Sequence, residues 1–345
     1  MMQDIYILTD YKDYFGSKQQ SVPYKSGMNK ELMTEYFKDY GFKTNYLSFS
    51  DIDFNHMDYA GKVVLYTSSE DKGYHYKSYI DDIVFGLSCQ GAILIPDYRF
   101  LHANNNKVFM EILRDLIDKE NITGIRSLYL GTLEDLKKKI NLIQTKMVIK
   151  TARGAMSSGV YLAKSRKNTL RKYKKIGRTR YLYAELWDLK NYIKHKGFKM
   201  DSMFRSKFIL QNFVEGLKHD WKILIYGRKY YVLQREVRRK DFRASGSGIF
   251  KFTQQLPEGL LDYARKIFDL FNVPNLSLDI AFDRQKFYVF EFQAVYFGTK
   301  TIENASFYFM KNNSSWEVIE EKSCLEKVYV ESIVQYINQT GIQNL

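Results

Sequence analysis

The stretch from Asn275 to Lys300, NLSLDIAFDRQKFYVFEFQAVYFGTK, most narrows what this chain can fold into. Leu276, Leu278, Ile280 and Phe282 alternate with Ser277, Asp279 and Ala281. After a polar interval, Tyr288, Phe290 and Phe292 alternate with Phe287, Val289, Glu291 and Gln293. Period-two alternation puts each set on one face of a strand, so a β-hairpin is expected. Pairing Leu278 with Phe292, Ile280 with Phe290 and Phe282 with Tyr288 makes the apolar faces coincide. That register leaves an odd-length turn around Arg284–Gln285–Lys286 and sets Asp279 opposite Glu291. Gln293 then lies on the same face, about 7 Å along the strand. Two carboxylates and an amide oxygen are hard ligands, suited to Mg²⁺ bridging nucleotide phosphates. The plain alternative is a solvated sheet face carrying ordinary acids.

The rest of the chain has to accommodate that hairpin. Its 345 residues exceed one simple core and suit two or three packed subdomains. A hydrophobic content of 45% with only 4 prolines describes a globular chain without long disordered linkers. Cys89 and Cys324 are too few for a disulfide framework. The first ten residues, MMQDIYILTD, read as a strand rather than a basic segment followed by an apolar run. A cytoplasmic location follows as the expectation. No apolar run approaches the roughly 20 residues of a membrane span. The net charge of +14 favours polyanionic partners, phosphorylated small molecules among them. Zinc-finger spacing and the usual RNA-recognition signature are both missing, so nucleic acid is not the expected ligand. His56, His75, His102, His195 and His219 show no metal-ligand spacing.

Residues 1–100 alternate strands (Asp4–Thr9, Thr44–Phe49, Lys62–Thr67, Gly91–Pro96) with helical patterns (Asn29–Tyr40, His75–Leu87), which implies a parallel sheet. No GxGxxG follows the first strand, so dinucleotide binding has no support. An apolar helical stripe after Asn104 is followed by a short strand at Ser127–Leu130, and Thr132 and Asp135 fit a capping box. Lys146–Thr151 is a strand carrying Lys150 near its end; RGAMSSGV and a second strand, Val160–Ala163, come next. Gly154, Ala155, Ser157, Ser158 and Gly159 are small enough to bring backbone N–H groups against phosphate oxygens. GxxxxGK[ST] is not present. Lys164–Arg180 holds nine Lys or Arg and no acid, and reads as a solvated loop or a dock for an acidic substrate or anionic surface. Leu182–Lys196 looks helical. Lys207–Val214 is a strand, and Trp221–Tyr226 and Lys229–Arg235 form a hairpin. REVRRKDFRASGSG (235–248) is basic and rich in small residues, and its arginines can clamp phosphate. Pro257–Phe271 is an amphipathic helix, and Glu326–Ile337 is another helix.

From about Asn106 to Thr301 these features, in this order, resemble an ATP-grasp ligase, of the branch that includes the glutamate ligase modifying a ribosomal protein and the glutathione synthetase-like enzymes. The matching pieces are Asn106–Lys107 at a helix start, the strand carrying Lys150, the loop 154–159, and QNFVEG. HDWK at His219–Lys222, DFRASGSG, and the set Asp279, Glu291, Gln293 complete the order. Gln293 stands where the family has Asn. The small, proline-containing stretch after it is replaced by Ala294–Val295–Tyr296–Phe297–Gly298. That loop borders the acceptor in the family.

The resemblance implies an α/β chain with an ATP-grasp fold. Residues 1–103 would be an N-terminal α/β pre-ATP-grasp domain, 104–206 the small lobe with the phosphate loop, and 207–345 the large lobe with the metal site. Lys107 and Lys150 would touch nucleotide phosphates or adenine, with Gly154, Ser157, Ser158 and Gly159 on the phosphates. Gln211, Asn212, Phe213 and Val214 would hold adenine; Asp220 and Arg235 would lie near the nucleotide, Asp220 by the ribose. Arg243, with Lys150, would stabilise the γ-phosphate and an acyl phosphate. Asp279, Glu291 and Gln293 would hold two Mg²⁺. ATP, an acidic carboxylate substrate and an amine acceptor are the implied partners, and self-association is left open. Two other outcomes stay open at this point: a kinase phosphorylating a hydroxyl, and a non-catalytic module binding nucleotide or polyanion.

Overall fold

The structure is a computed structural model that describes residues 2–143, 146–154, 159–179, 181–237, 243 and 248–342. Its elements fall into two compact units, Met1–Asn104 with Leu217–Leu345, and Asn105–Gly216.

The first unit begins with β1 (Gln3–Thr9), α1 (Lys30–Asp39), β2 (Phe42–Ser48), β3 (Val63–Tyr66), α2 (His75–Cys89), β4 (Ile93–Ile95) and α3 (Tyr98–Ala103). The four strands form an all-parallel sheet in the order β2-β1-β3-β4, as the strand–helix alternation requires. β1 and β3 are buried apolar runs, the signature of strands covered on both faces. Asn29 caps α1 by accepting a hydrogen bond from Leu32 N.

The second unit contains α4 (Lys107–Ile117), β5 (Ser127–Thr132), α5 (Leu133–Lys138), β6 (Met147–Thr151), β7 (Val160–Ala163), α6 (Arg166–Gly177), α7 (Leu182–Lys194) and β8 (Arg205–Asn212). Its sheet is antiparallel, in the order β5-β8-β6-β7. The expected capping box is present, with Thr132 accepting from Asp135 N and Asp135 accepting from Thr132 N. Two features differ from expectation. The basic run read as a loop is largely the helix α6, because Thr169, Tyr173 and Gly177 are buried against the sheet at helical spacing. The break expected after residue 206 falls at Gly216/Leu217, because β8 is the strand that joins β5 to β6 and cannot be detached from that sheet.

The chain then returns to the first unit as β9 (His219–Tyr226), β10 (Lys229–Glu236), β11 (Phe250–Lys251), α8 (Leu260–Phe271), β12 (Asn275–Phe282) and β13 (Phe287–Gln293). It finishes with α9 (Lys300–Asn304), β14 (Tyr308–Asn312), β15 (Ser315–Ile319) and α10 (Leu325–Thr340). The strands make an antiparallel sheet in the order β13-β12-β9-β10-β14-β15, with β11 on β10. The β14–β15 hairpin was not foreseen: its sequence, YFMKNNSSWEVI, alternates too weakly to stand out. One hydrophobic core runs through this unit. It takes Ile5, Ile7 and Leu65 from the parallel sheet, Met33 and Phe37 from α1, Leu224 and Tyr231 from the antiparallel sheet, and Ile333 and Ile337 from α10. Shared burial of that kind explains why residues 1–104 and 217–345 cluster as one unit although some hundred residues separate them in sequence. A buried carboxylate ties the joint: Glu326 accepts from Lys18 Nζ at 2.6 Å and from Asn29 N at 2.8 Å.

Candidate functional site

In the first unit the site is one face of the antiparallel sheet. β12 and β13 pair as expected through Ser277–Gln293, Leu278–Phe292 and Asp279–Glu291. Beyond Asp279 the register slips by one residue, so Ile280 meets Val289 and Phe282 meets Phe287 rather than Phe290 and Tyr288. The extra residue on β13 is a bulge, which lets both Val289 and Phe292 face the apolar side. The carboxylate pair lies immediately beside it. The turn is tighter than expected: Asp283 Oδ1 accepts from Gln285 N and Lys286 N, and Arg284 takes a left-handed φ of 78°.

β9 and β10 extend the same face. Asp279 is opposite Lys222, Ala281 opposite Asp220, and Asp220 opposite Arg235. Period two along β9 thus carries the face from charged (Asp220, Lys222) to core (Leu224, Tyr226) within four residues. On the other side of the sheet α8 packs its apolar stripe, with Phe271 and Phe292 rings 4.4 Å apart.

Three carboxylates and two cations interlock here. Arg235 donates to both oxygens of Asp220, from Nε at 2.7 Å and from Nη2 at 2.8 Å. Its Nη2 also lies 2.9 Å from Asp279 Oδ2. Lys222 Nζ donates to Ser277 Oγ at 2.9 Å and stands 3.6 Å from Asp279 Oδ1. Gln293 Nε2 donates to Glu291 Oε1 at 3.4 Å. Burial pushes Asp220 up to about 6, against the pull of Arg235 and with the push of Asp279. For Arg235, burial opposes the charge, but Asp279 and Asp220 outweigh it and hold the guanidinium protonated. Ser277 and the second contact of Arg235 escaped the sequence reading. Ser277 could have been found, since it lies two residues before Asp279 on one strand face.

A small recess of about 50 Å³ opens in the same unit, lined in part by the residues directly after Gln293 in the chain. Phe15, Tyr66, Asn275, Tyr296, Phe297 and Tyr329 are among its lining residues, and no charged side chain lines it among the described residues. Burial pushes the phenols of Tyr66 and Tyr329 well up, so both remain neutral.

In the second unit, Lys107 is the first residue of α4, and Asn106 caps that helix by accepting from Phe109 N. Lys107 is buried; its N–H donates to Ala152 O and its Nζ to Gly154 O at 2.8 Å. Lys150 is buried on β6, between Ile209 of β8 and Val160 of β7. These two lysines thus bracket the stem of the small-residue loop. Gly154 and Gly159 both have positive φ, while Ser157 and Ser158 lie outside the described residues. Gln211 is buried, and its Nε2 donates to Ser127 Oγ, which in turn donates to Glu111 Oε2. Asn212 is exposed and Phe213 and Val214 are half-buried. Arg243 is half-buried, and most of DFRASGSG around it lies outside the described residues.

The loop stem constrains Gly159 closely. Its φ is 78°, Thr151 N donates to its carbonyl, and a Cβ there would sit 2.0 Å from Thr151 Oγ1. Gly159→Ala is therefore expected to destabilise the chain by about 2–3 kcal/mol, from left-handed backbone strain plus a contact that must be relieved. A lowered urea midpoint would show it, and an unchanged midpoint would mean that the loop does not need this conformation.

Among the described residues, no group of three or more His, Cys, Asp or Glu is placed to hold a metal ion. What the sheet face offers is a different donor set: two facing carboxylates, Asp279 and Glu291, and one amide.

No protein-family model matches this chain, and no curated protein matches it by sequence. Solved structures do match. The chain is similar to D-cycloserine synthetase DcsG, at 11% identity over 96% of this chain and 99% of that one, with a TM-score of 0.53. It is similar to the D-alanine–D-alanine ligase from Bacillus anthracis complexed with ATP, at 11% identity over 99% and 100% of the two chains, with a TM-score of 0.52. It is also similar to the ATP-grasp ligase PsnB complexed with minimal precursor, at 10% identity over 97% and 100%, with a TM-score of 0.51. At such identities the likeness is one of architecture, and the architecture is that of the ATP-grasp ligases: this α/β chain has the ATP-grasp fold.

Proposed function

We propose that the chain is an ATP-dependent carboxylate–amine ligase that works through an acyl phosphate and releases ADP. The observation that carries this reading is the facing pair Asp279–Glu291, with Gln293 beside it, on a chain of ATP-grasp fold. Residues 1–104 serve as the pre-ATP-grasp domain, 105–216 as the phosphate-loop lobe and 217–345 as the metal-bearing lobe.

The donor set fits Mg²⁺. Asp279, Glu291 and the Gln293 amide supply hard oxygen ligands, on a face with three acidic and two basic side chains. Arg235 and Lys222 compensate Asp279, and these residues would share that balance with a bound Mg²⁺. When bound there, Mg²⁺ supplies charge neutralisation at the nucleotide phosphates.

The chain's own groups do the rest. Lys107 and Lys150 are buried ammonium groups at the loop stem and neutralise phosphate oxygens. The N–H groups around Gly154 and Gly159 cradle those oxygens. Gln211 to Val214 contact adenine, Asp220 and Arg235 lie near the nucleotide, and Arg243 stabilises charge on the transferred phosphoryl group. A substrate carboxylate oxygen attacks the γ-phosphorus and the bond to ADP breaks. An amine then attacks the acyl carbon, phosphate leaves, and the amine gives up a proton. Such chemistry needs positioning and charge more than a covalent protein nucleophile. The positive net charge favours an acidic substrate.

The test is trapping. Incubation with Mg·ATP, a panel of carboxylic acids and hydroxylamine should give a hydroxamate with stoichiometric ADP. A stable phosphoester with no hydroxamate would establish a kinase instead, and nucleotide binding without any turnover would establish a non-catalytic module.

A further inference from the structure

Helix α7 (Leu182–Lys194) is mounted on the second unit the opposite way to an ordinary surface helix. Leu182, Leu186, Leu189 and Ile193 follow one another at intervals of four, three and four, which places them on one stripe. A stripe of that kind normally faces a core. Here the four are 74, 67, 47 and 77% exposed, and no residue of the helix is fully buried. The partly buried positions are Glu185, Asp188 and Asn191, on the opposite side. Polar contacts hold that side: Glu185 pairs with Arg178 at 3.3 Å, and Asp188 accepts from Asp201 N at 2.9 Å. Tyr183 and Trp187, both exposed, run beside the stripe together with Lys190 and Lys194.

The surrounding charge is predominantly positive. Among the described residues between Lys164 and Lys199, ten Lys or Arg side chains are exposed, while the acids Glu185 and Asp188 are on the packed side of α7; the next acid, Asp201, is exposed and paired with Arg205. An exposed apolar ridge in a basic field calls for an anionic partner that also offers apolar surface.

We propose that α7 seats this part of the protein on an anionic lipid bilayer. The stripe lies at the boundary of headgroups and acyl chains, and the lysines and arginines meet lipid phosphates. Thirteen residues span about 20 Å, too short to cross a bilayer but sufficient to lie along its surface. Among the described residues no helix is long and apolar enough to cross a membrane. The ridge is convex, which fits a yielding planar surface better than a partner that would need a groove. Tyr and Trp beside the stripe have the amphipathic rings that settle at a membrane interface. A second copy of this chain would bring another field of the same sign against the first. The inference is independent of the proposed activity.

The full chain should be mixed with vesicles of phosphatidylcholine alone, and with vesicles of phosphatidylcholine and phosphatidylglycerol in equal parts. Cosedimentation is expected to be about tenfold or more stronger on the anionic vesicles and to fall with added salt. The double variant Leu186→Glu/Ile193→Glu should lose about tenfold in that binding while its thermal midpoint stays unchanged, because both side chains already face solvent. No partition to anionic vesicles, or partition indifferent to the double variant, overturns the proposal. So does a stripe-dependent dimer in light scattering without vesicle binding, which would identify a second copy as the occupant. Stripe-dependent capture of an acidic amphipathic peptide, with vesicles left unbound, would likewise replace the bilayer by a protein partner.

Discussion

Asp279→Asn is expected to cut ADP release by at least about a hundredfold and to weaken the Mg²⁺-dependent part of ATP-analogue binding. A bound divalent cation is worth several kcal/mol of charge stabilisation, and each 1.4 kcal/mol or so is a factor of ten. Loss of folding would not explain the result. Arg235 keeps its bidentate pairing with Asp220, and Lys222 keeps Ser277, so no cation on the face is stranded. Glu291→Gln should behave similarly, since Glu291 faces Asp279 directly and, among the described residues, takes its side-chain hydrogen bond from the Gln293 amide. The informative measurement is analogue affinity with and without Mg²⁺, beside a thermal melt. If both variants turn over and bind like the parent, the metal assignment is wrong, and Asp279 serves only to hold Arg235 and Lys222.

Arg114→Met should be the most destabilising of the simple substitutions in the second unit, at about 3–5 kcal/mol. Arg114 and Glu111 are each 1% exposed, one turn apart on α4. The Arg114 guanidinium donates to Glu111 Oε1 at 3.2 Å, and its Nε lies 3.1 Å from Oε2. Glu111 Oε2 also accepts from Ser127 Oγ. Removing the guanidinium leaves a carboxylate in the interior with, among the described residues, the Ser127 hydroxyl as its side-chain donor, whereas removing both charges leaves a neutral interior. Glu111→Gln/Arg114→Met should therefore regain most of the loss. Urea midpoints of the two variants decide the matter: equal destabilisation in single and double would show that packing, not the stranded charge, sets the cost. Gln211 reports on the same pair, because Ser127 links it to Glu111. Disturbance there reaches the strand assigned to adenine.

Much of the candidate site is visible in the sequence because it is built on local alternation. Asp279 meets Glu291 because Leu278 and Phe292 must share the buried face, and side chains one residue along then share the other. Lys107 at the start of α4 was legible through its Asn cap, and Lys150 through the apolar strand that carries it. The bulge after Asp279 was not legible. Tyr288, Phe290 and Phe292 alternate well enough to suggest an unbroken ladder, and only burial in the folded sheet makes Val289 a core residue while Phe290 stays half-buried. Likewise, the basic run gave no helical stripe by charge; its three inward positions, Thr169, Tyr173 and Gly177, are too mixed in character to read as one.

Periodicity along the chain therefore settled the strands, their faces, the facing acids and the resemblance that follows from the order of the motifs. Tertiary structure alone decided what those acids touch. Arg235 reaches Asp279 only because β9 lies between β10 and β12, and sheet order is set by long-range burial rather than by any local pattern. The union of residues 1–104 with 217–345 has the same origin, in a core that α10 completes against α1. Helix α7 is the sharpest case. Its heptad spacing predicts an inward apolar stripe, yet Arg178 and Asp201 bind its polar side and turn the leucines to solvent. Alternation and spacing say which residues share a face; only the neighbours supplied by the rest of the fold say where that face points.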